Sequence, residues 1–229
     1  FRDASQGRCT FALTLEDCFR GLFAAKRDRF FGFSTFDPDE YEFYEQVENG
    51  DFHQISDKFI AFSGPSRHKK EIYPGVYSSI PSGPSRHKKE IYPGVYSNIP
   101  SDYFECFRER NVTAIVRLNT KCYDAREFVD AGFKHYDLFF LDGSVPPPAI
   151  VTRFLQICDQ EKGCVAVHCQ AGLGRTGTLM GLWVMRQYLW TAKEYIAWNR
   201  IVRPGSIIGP QQYYLQANEA KMWAASRRP

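Results

Sequence analysis

A cysteine and an arginine with five residues between them follow a short apolar run that predicts a buried strand. Cys169 comes directly after residues 164–168, and Gly172 and Gly174 lie between Cys169 and Arg175. A loop of this length between a strand and a helix can wrap one tetrahedral anion with inward backbone N–H groups and the positive end of the helix. A cysteine at a helix N-terminus beside an arginine is favoured as the thiolate that attacks phosphorus, and arginine can bind two phosphate oxygens at once. The spacing predicts nucleophilic chemistry on a phosphate ester, with Cys169 as nucleophile and Arg175 as phosphate clamp.

The rest of this loop supplies the other predicted phosphate-binding groups, which are Gln170, Ala171, Gly172, Leu173 and Gly174. Thr176 follows the arginine and is placed to hydrogen-bond the sulfur as it leaves. His168 precedes the cysteine and is predicted to orient the loop rather than to carry a proton. For an arbitrary cysteine a buried structural role would be the better prediction. Here all the residue types stand in register after a buried strand, which favours the catalytic interpretation.

Alternating helices and strands must hold this loop in place. From residue 101 onward the pattern predicts helices near 102–110, 124–131, 150–158, 175–189, 191–201 and 210–222, and strands at 113–118, 136–141 and 164–167. Alternation of this kind is typical of an α/β fold whose central, mostly parallel sheet is flanked by helices on both faces.

The first fifty residues predict two helices. Thr14 is suited to cap the first, whose apolar residues recur at helical spacing. Asp37 and Pro38 begin the second, a strongly acidic helix, and Asn49 with Gly50 ends it.

A tandem repeat follows a short predicted strand at 58–62. Residues 63–81 and 82–100 are copies of each other that differ only at Ser79 against Asn98. Two copies are too few for a stacked array, and each is rich in Gly, Pro, Ser and charge. The repeat therefore predicts a lengthened surface loop, since loop closure cost grows only as the logarithm of length.

Composition narrows the function classes. The chain has 229 residues, 44% of them hydrophobic, and a net charge of +3, which does not indicate nucleic acid or a membrane as the main partner. Its seven cysteines are odd in number and form no C-x-x-C pair, which predicts a reducing compartment. No apolar run of about 18 residues is present, and no metal-ligand cluster accompanies the loop, so neither a metal nor a cofactor is predicted. The start at Phe1 predicts a fragment of a longer protein.

Residues 168–176 form the H-C-x-x-G-x-G-R-T signature of the cysteine-dependent phosphatases. Longer blocks at 39–51, 137–144, 169–189, 196–198 and 203–212 narrow the match. With them the chain resembles the cell-division-cycle-fourteen phosphatases, the mitotic-exit dual-specificity family, over about residues 11–223. The resemblance implies a protein tyrosine phosphatase-like fold.

The resemblance also implies a domain organisation. The expected units are a remnant of an N-terminal phosphatase-like domain at 1–34, an acidic linker helix at 35–50, the catalytic dual-specificity domain at 51–223 with the duplicated loop at 63–100, and a tail at 224–229.

A general acid is needed to protonate the departing oxygen, since an alkoxide is a poor leaving group. The resemblance implies Asp142, which stands after a predicted strand. On spacing alone Asp137, Asp124 and Asp159 compete for this role.

Two further sets of residues are implied by the resemblance. Gln211 and Gln212 match the glutamine loop that positions the hydrolytic water, and either could serve. Glu42, Glu45 and Asp51 match an acidic groove that recognises a basic residue downstream of phosphoserine-proline. A run of acidic residues is otherwise usually a solvated helix face.

The implied function is hydrolysis of phosphoserine, phosphothreonine and phosphotyrosine in proteins phosphorylated by cyclin-dependent kinases, through a phosphocysteine intermediate. A phosphoinositide phosphatase remains an alternative, although that class tends to place extra basic residues in the loop where this chain has Gln170, Ala171 and Leu173. A noncatalytic phosphopeptide-binding module is a second alternative, although such modules normally lose the cysteine or the arginine. The family implies phosphorylated protein partners and a location in the nucleus, the cytoplasm or at the spindle pole and centrosome. The oligomeric state is left open.

Overall fold

Strands and helices alternate along the chain. The computed structural model describes residues 2–5, 9–73, 76–79, 88–92 and 94–226. The strands are β1 (Phe52–Ser56), β2 (Phe59–Phe62), β3 (Glu71–Tyr73), β4 (Val76–Ser79), β5 (Lys88–Tyr92), β6 (Val95–Tyr96), β7 (Val112–Arg117), β8 (Lys134–Asp137) and β9 (Cys164–His168). The helices are α1 (Leu15–Arg27), α2 (Pro38–Glu45), α3 (Phe104–Glu109), α4 (Arg126–Asp130), α5 (Pro148–Gln160), α6 (Gly174–Tyr188), α7 (Ala192–Val202) and α8 (Pro210–Ala224), with short 3₁₀ helices at Val47–Asn49 and Pro100–Tyr103.

Strand β9 lies at the centre of a five-stranded sheet with the order β1-β2-β9-β7-β8. It runs parallel to β2 and β7, β7 runs parallel to β8, and β1 pairs antiparallel with β2. Every residue of β9 is buried, as expected of a strand covered on both faces. The predicted α/β class with a mostly parallel central sheet is confirmed.

Two apolar cores cover the two faces of the sheet. Val165 and Val167 belong to the larger core, which α1, α5, α6, α7 and α8 complete. Ala166 belongs to the smaller core, together with Phe107 of α3 and Phe128 of α4. Because successive side chains of a strand point to opposite faces, β9 contributes to both cores, and helices flank both faces as predicted.

Strand β8 ends at Asp137, whereas the sequence predicted a strand at 136–141. The N–H of Phe140 donates to the carbonyl of Leu118 (3.3 Å). The carbonyl of Phe140 accepts a hydrogen bond from the guanidinium of Arg175 (3.0 Å). The backbone beyond β8 therefore stays hydrogen-bonded to the segment after β7 and also offers a carbonyl to the arginine.

Helix α6 is buried from Gly174 to Arg186. Gly181 allows the ring of Tyr195 on α7 to approach, since a Cβ at Gly181 would lie 2.5 Å from that ring. Close packing of this kind holds α6 against α7. Within the described helices, none combines the length and the apolar character that crossing a membrane requires.

Helix α1 begins at the predicted cap. The N–H of Asp17 donates to the hydroxyl of Thr14 (3.1 Å), and the N–H of Thr14 donates to the Asp17 carboxylate (2.9 Å), which completes a capping box. The helix packs on α7 through Gly21, where a Cβ would lie 2.6 Å from the carbonyl oxygen of Glu194. The domain boundary at residue 34 stays a prediction.

The duplicated segment contains paired strands, where the sequence predicted only a lengthened loop. Strand β3 pairs antiparallel with β6, and β4 with β5; we call these four strands the arm. The register is reciprocal, because Glu71 pairs with Tyr96 and the equivalent residue Glu90 pairs with Tyr77. Each copy of the repeat thus contributes one strand to each pair. The sequence of both copies is rich in β-branched and aromatic residues, which favour strands.

The base of the arm is closed by residues from opposite ends of the repeat. The N–H of Ser66 donates to the carbonyl of Asn98 (2.9 Å), and the hydroxyls of Ser66 and Ser97 lie 2.8 Å apart. The Asn98 amide also donates to the carbonyl of Val47 (2.6 Å). The one position at which the two copies differ therefore connects the arm to the 3₁₀ helix at Val47–Asn49. Residues 74–75, 80–87 and 93 of the predicted loop lie outside the described residues.

Candidate active site

Cys169 follows directly on the central strand. Strand β9 ends at His168 and α6 begins at Gly174, so the loop 169–173 joins the middle of the sheet to the buried helix. We call residues 169–173 the phosphate loop. The Cys169 side chain is only 3% exposed. The strand, loop and helix that the sequence predicted are present in that order.

The first two carbonyls of the phosphate loop are held on its outer side. Nδ1 of His168 lies 3.0 Å from the carbonyl oxygen of Cys169, and the N–H of Gly64 donates to the carbonyl of Gln170 (2.9 Å). In a planar trans peptide, the C=O and the following N–H point in opposite directions. The N–H groups of Gln170 and Ala171 therefore turn to the inner side of the loop.

Arg203 holds the next two carbonyls. Its Nη2 donates to the carbonyl of Ala171 (2.8 Å) and its Nε to the carbonyl of Gly172 (3.0 Å). By the same peptide geometry, the N–H groups of Gly172 and Leu173 also turn inward. Four successive N–H groups thus surround the space beside Cys169, which is the arrangement that binds a tetrahedral anion.

Gly172 is required by the backbone of the loop. Its φ is +67°, in the left-handed region that L side chains rarely adopt. A Cβ at this position would lie 2.1 Å from the carbonyl oxygen of Phe62 at the end of β2. The loop can therefore close onto β2 only with glycine here.

Arg175 lies in the first turn of α6 and is almost fully buried. Its Nη1 donates to the carbonyls of Phe140 (3.0 Å) and Leu118 (3.3 Å). Its Nε lies 3.1 Å from Oδ1 of Asp142, whose side chain is 73% exposed. The segment after β8 thus brings the predicted acid into contact with the predicted clamp.

The three aspartates that spacing alone left as alternatives are each paired elsewhere. The pairs are Asp137 with Arg117, Asp124 with Arg126, and Asp159 with Arg186. Of the four candidates, Asp142 is the one whose carboxylate contacts Arg175.

The hydroxyl of Thr176 is fully buried and has no hydrogen-bond partner among the described residues. Leaving a buried hydroxyl unpaired costs about 1–3 kcal/mol. Thr176 follows Arg175 in the first turn of α6, directly after the loop.

Gln211 connects the two sides of the site. Its Nε2 donates to the carbonyl of Ser144 (3.0 Å), two residues after Asp142. Its Oε1 would lie 2.8 Å from a Cβ at Gly174, so it abuts the start of α6. Gln211 therefore lies between the phosphate loop and the segment that carries the acid.

Gln212 is directed away from the site. Its Oε1 accepts a hydrogen bond from Nη2 of Arg200, and its Nε2 donates to Asp3 (3.2 Å) and to the carbonyl of Gly209 (2.9 Å). The structure thus separates two neighbouring glutamines that the sequence could not distinguish.

A buried chain of hydrogen bonds supports the phosphate loop from below. The hydroxyl of Tyr123 lies 2.8 Å from Nε2 of His168 and 2.8 Å from Nε2 of His135. Burial lowers the pKa of His168 to about 3 and that of His135 to about 4, so both rings are neutral. Since Nδ1 of His168 must donate to the carbonyl of Cys169, its Nε2 accepts from Tyr123, and the tyrosine oxygen accepts from His135.

The three predicted groove residues occupy different environments. Glu42 and Glu45 are exposed on α2. Asp51 is partly buried, with its side chain 28% exposed and Oδ1 3.0 Å from Nη2 of Arg203. Burial raises the pKa of Asp51, and the Arg203 guanidinium opposes that rise.

Sequence reasoning missed Arg203, Tyr123 and His135. Arg203 stands in the block 203–212 that carried the resemblance, which is the signal that could have singled it out. No local pattern marks Tyr123 or His135, because their link to the loop arises only when β7, β8 and β9 lie side by side.

Solved structures share this architecture. The crystal structure of PTPMT1 in complex with PI(5)P matches with a TM-score of 0.56 and 18% identity, covering 76% of this chain and 97% of that one. The crystal structure of Tk-PTP in the active form matches with a TM-score of 0.54 and 18% identity, covering 74% and 96%. The chain therefore has the fold of the protein tyrosine phosphatase class.

Sequence comparison assigns the family within that class. A family model described as "Polymorphic toxin system, DSP-PTPase phosphatase" matches residues 93–188. The dual specificity protein phosphatase CDC14A of Homo sapiens is 53% identical over 97% of this chain, and the tyrosine-protein phosphatase cdc-14 of Caenorhabditis elegans is 46% identical over 99%. The chain belongs to the CDC14 family of dual-specificity phosphatases. It spans about a third of the length of these relatives, 34% of the human and 29% of the nematode protein.

Proposed function

We propose that this chain hydrolyses phosphoserine, phosphothreonine and phosphotyrosine in proteins through a phosphocysteine intermediate. The observation that carries the proposal is the phosphate loop, where four N–H groups turn inward beside Cys169. Arg175 follows in the first turn of α6. Such a cradle fits a phosphate monoester, and the membership of the CDC14 family supports the same activity.

In the first step, the thiolate of Cys169 attacks phosphorus and the bond to the ester oxygen breaks. Asp142 gives its proton to that oxygen, so that the product leaves as a neutral alcohol. Arg175 binds two phosphate oxygens and the inward N–H groups bind the remaining charge, which stabilises the transition state. The contact between Arg175 and Asp142 supports this division, because it puts acid and clamp on the same side of the loop.

In the second step, water attacks the phosphocysteine and Asp142, now a carboxylate, accepts the proton of that water. The sulfur leaves as a thiolate that accepts a hydrogen bond from the hydroxyl of Thr176. We assign the positioning of the water to Gln211, because its amide lies between the phosphate loop and the segment that carries Asp142. Gln212 serves the packing of α8 instead.

The proposed substrates carry phosphoserine followed by proline and, further on, a basic residue, the sites of cyclin-dependent kinases. The acidic residues Glu42, Glu45 and Asp51, which match the family groove, support this preference. The partners are phosphorylated proteins of the cell cycle, and the family implies activity in the nucleus, the cytoplasm or at the spindle pole.

A multiply phosphorylated inositol ring is the less favoured substrate. The phosphate loop presents Gln170, Ala171 and Leu173, none of which carries a positive charge for additional phosphates. A noncatalytic role is less favoured as well, because Cys169 and Arg175 are both present.

The proposal is tested with two phosphopeptides that contain phosphoserine-proline and differ only in lysine or alanine three residues on. We expect a higher kcat/KM for the lysine peptide, and loss of that difference in Glu42→Ala/Glu45→Ala. Cys169→Ser should hydrolyse neither peptide. Hydrolysis that persists in Cys169→Ser would refute the phosphocysteine mechanism, whereas equal rates on both peptides would refute only the substrate preference.

A further inference from the structure

We propose that Asp51 is a positioning residue for the phosphate loop, acting through Arg203, and that it supports turnover of every phosphate ester and not only of those with a basic residue. The measurements of turnover rest on the proposed function. The inference itself rests on the contacts between Asp51, Arg203 and the loop.

One nitrogen of Arg203 joins the acid to the loop. Nη2 lies 3.0 Å from Oδ1 of Asp51 and donates to the carbonyl of Ala171 (2.8 Å), while Nε donates to the carbonyl of Gly172 (3.0 Å). The direction of the guanidinium plane therefore decides the direction of two loop peptides. Asp51 contacts the same nitrogen that donates to Ala171, so its carboxylate helps to fix the direction of that plane.

Asp51 also supplies the countercharge for Arg203. The arginine is only 2% exposed, and a buried cation is costly unless an anion neutralises it. Its other side-chain neighbour, His53, lies 2.8 Å from Nη1 and is neutral, because burial and the nearby guanidinium lower its pKa to about 3. Among these contacts the carboxylate of Asp51 is the negative charge.

The backbone of Asp51 reaches the loop by a second path. Its φ is +45°, and its carbonyl accepts a hydrogen bond from the N–H of Ser63 (3.0 Å). The next residue, Gly64, donates to the carbonyl of Gln170 (2.9 Å). The position of Asp51 is thus tied to three consecutive carbonyls of the phosphate loop, at residues 170–172.

The three acids of the predicted groove therefore divide into two groups. Glu42 and Glu45 lie exposed on α2, where they can meet the basic residue of a substrate. Asp51 keeps the N–H donors of the phosphate loop in place. Loss of its charge should shift Arg203 and tilt these donors, and small displacements at a reacting centre reduce rates strongly.

The test uses Asp51→Asn, which keeps the shape of the side chain and a residue type that tolerates the left-handed backbone. The substrate is para-nitrophenyl phosphate, which carries no basic residue, and the binding probe is vanadate, measured by calorimetry. We expect kcat to fall by about tenfold or more and vanadate to bind more weakly, with little change in KM. Glu48→Gln removes an exposed charge of the same segment and should match wild type in both measurements.

A second pair of variants shows whether Asp51 acts through Arg203. Arg203→Lys keeps the charge but loses the planar fork that grips two carbonyls, so it should lower kcat as well. If the two residues act as a unit, the kcat of Asp51→Asn/Arg203→Lys should be about the same as that of the less active single variant. Losses that multiply in the double variant would overturn the inference.

Two other outcomes separate the inference from the proposed function. If Asp51→Asn loses the lysine preference but keeps wild-type kcat and vanadate binding, Asp51 is a groove residue only and the inference is wrong. If wild type hydrolyses no phosphate ester, the proposed function fails, and vanadate binding alone still decides whether Asp51 supports the loop. Thermal unfolding of each variant identifies a loss caused by misfolding, in which case Arg203→Lys carries the test.

Discussion

Nε of Arg175 lies 3.1 Å from a carboxylate oxygen of Asp142. The carboxylate is 73% exposed, so the pair is worth no more than about 1 kcal/mol and is easily separated. A bound phosphate would compete for the same guanidinium, which would free Asp142 to turn toward the leaving oxygen. In the absence of phosphate, the contact with Arg175 thus keeps Asp142 close to the phosphate loop and still allows its side chain to move.

Asp142→Asn should lower kcat on a phosphoserine peptide by about 100-fold or more, because the serine alkoxide needs a proton to leave. The loss on para-nitrophenyl phosphate should be much smaller, since nitrophenolate leaves without one. Steady-state kinetics on both substrates measure the ratio, and Asp57→Asn, at an exposed site, serves as control. Equal losses on both substrates would exclude Asp142 as the acid.

Gln211→Ala and Gln212→Ala should differ in kind. The first should slow hydrolysis of the phosphocysteine, so that rapid-quench experiments show a burst followed by slower turnover. The second should leave the burst unchanged and lower the free energy of unfolding by about 1–3 kcal/mol, because it leaves buried groups of Arg200 and Asp3 without the glutamine amide. A burst that grows in Gln212→Ala would reverse the assignment.

Gly172→Ala should abolish vanadate binding, because its Cβ would lie 2.1 Å from the carbonyl oxygen of Phe62. Gly132→Ala is the matched control, since Gly132 also has a positive φ, +97°, but a Cβ there meets nothing within 4 Å. The control should lose only about 1–2 kcal/mol of stability through backbone strain and should bind vanadate normally. Calorimetry and urea unfolding distinguish the two variants, and normal vanadate binding by Gly172→Ala would show that the loop does not need glycine.

Three buried histidines should make stability fall in mild acid. Burial lowers the pKa of His53 and His168 to about 3 and that of His135 to about 4, whereas unfolded histidines have a pKa of about 6.5. Between about pH 6.5 and 4 the unfolded chain binds more protons, so the free energy of unfolding should decrease as pH falls, by up to about 1.4 kcal/mol per pH unit for each histidine.

Urea unfolding at several pH values between 7.5 and 5 measures this slope. His68→Gln should leave it unchanged, because His68 is exposed. A free energy of unfolding that does not change from pH 7.5 to 5 would show that the three rings are not held neutral.

The sequence predicts the strand, loop and helix around Cys169 because that unit is local and its apolar, glycine and arginine positions are all close in the chain. It predicts the α/β class for the same reason, from the alternation of short elements. Asp142 could be singled out only through the family resemblance, since its contact with Arg175 depends on how β8 lies beside β7. Arg203 and Tyr123 come from distant parts of the chain, and only the assembled sheet and α7 bring them to the phosphate loop.

The reciprocal register of the arm makes the duplication self-complementary. A new strand at a protein surface normally leaves unpaired N–H and C=O groups that invite association with other chains. Here the strands of one copy of the repeat pair with the strands of the other copy. The backbone hydrogen bond between Ser66 and Asn98 closes the base of the arm, as it would for a single surface loop. The chain between β2 and β7 can therefore change in length by whole copies without altering the groups that hold the phosphate loop.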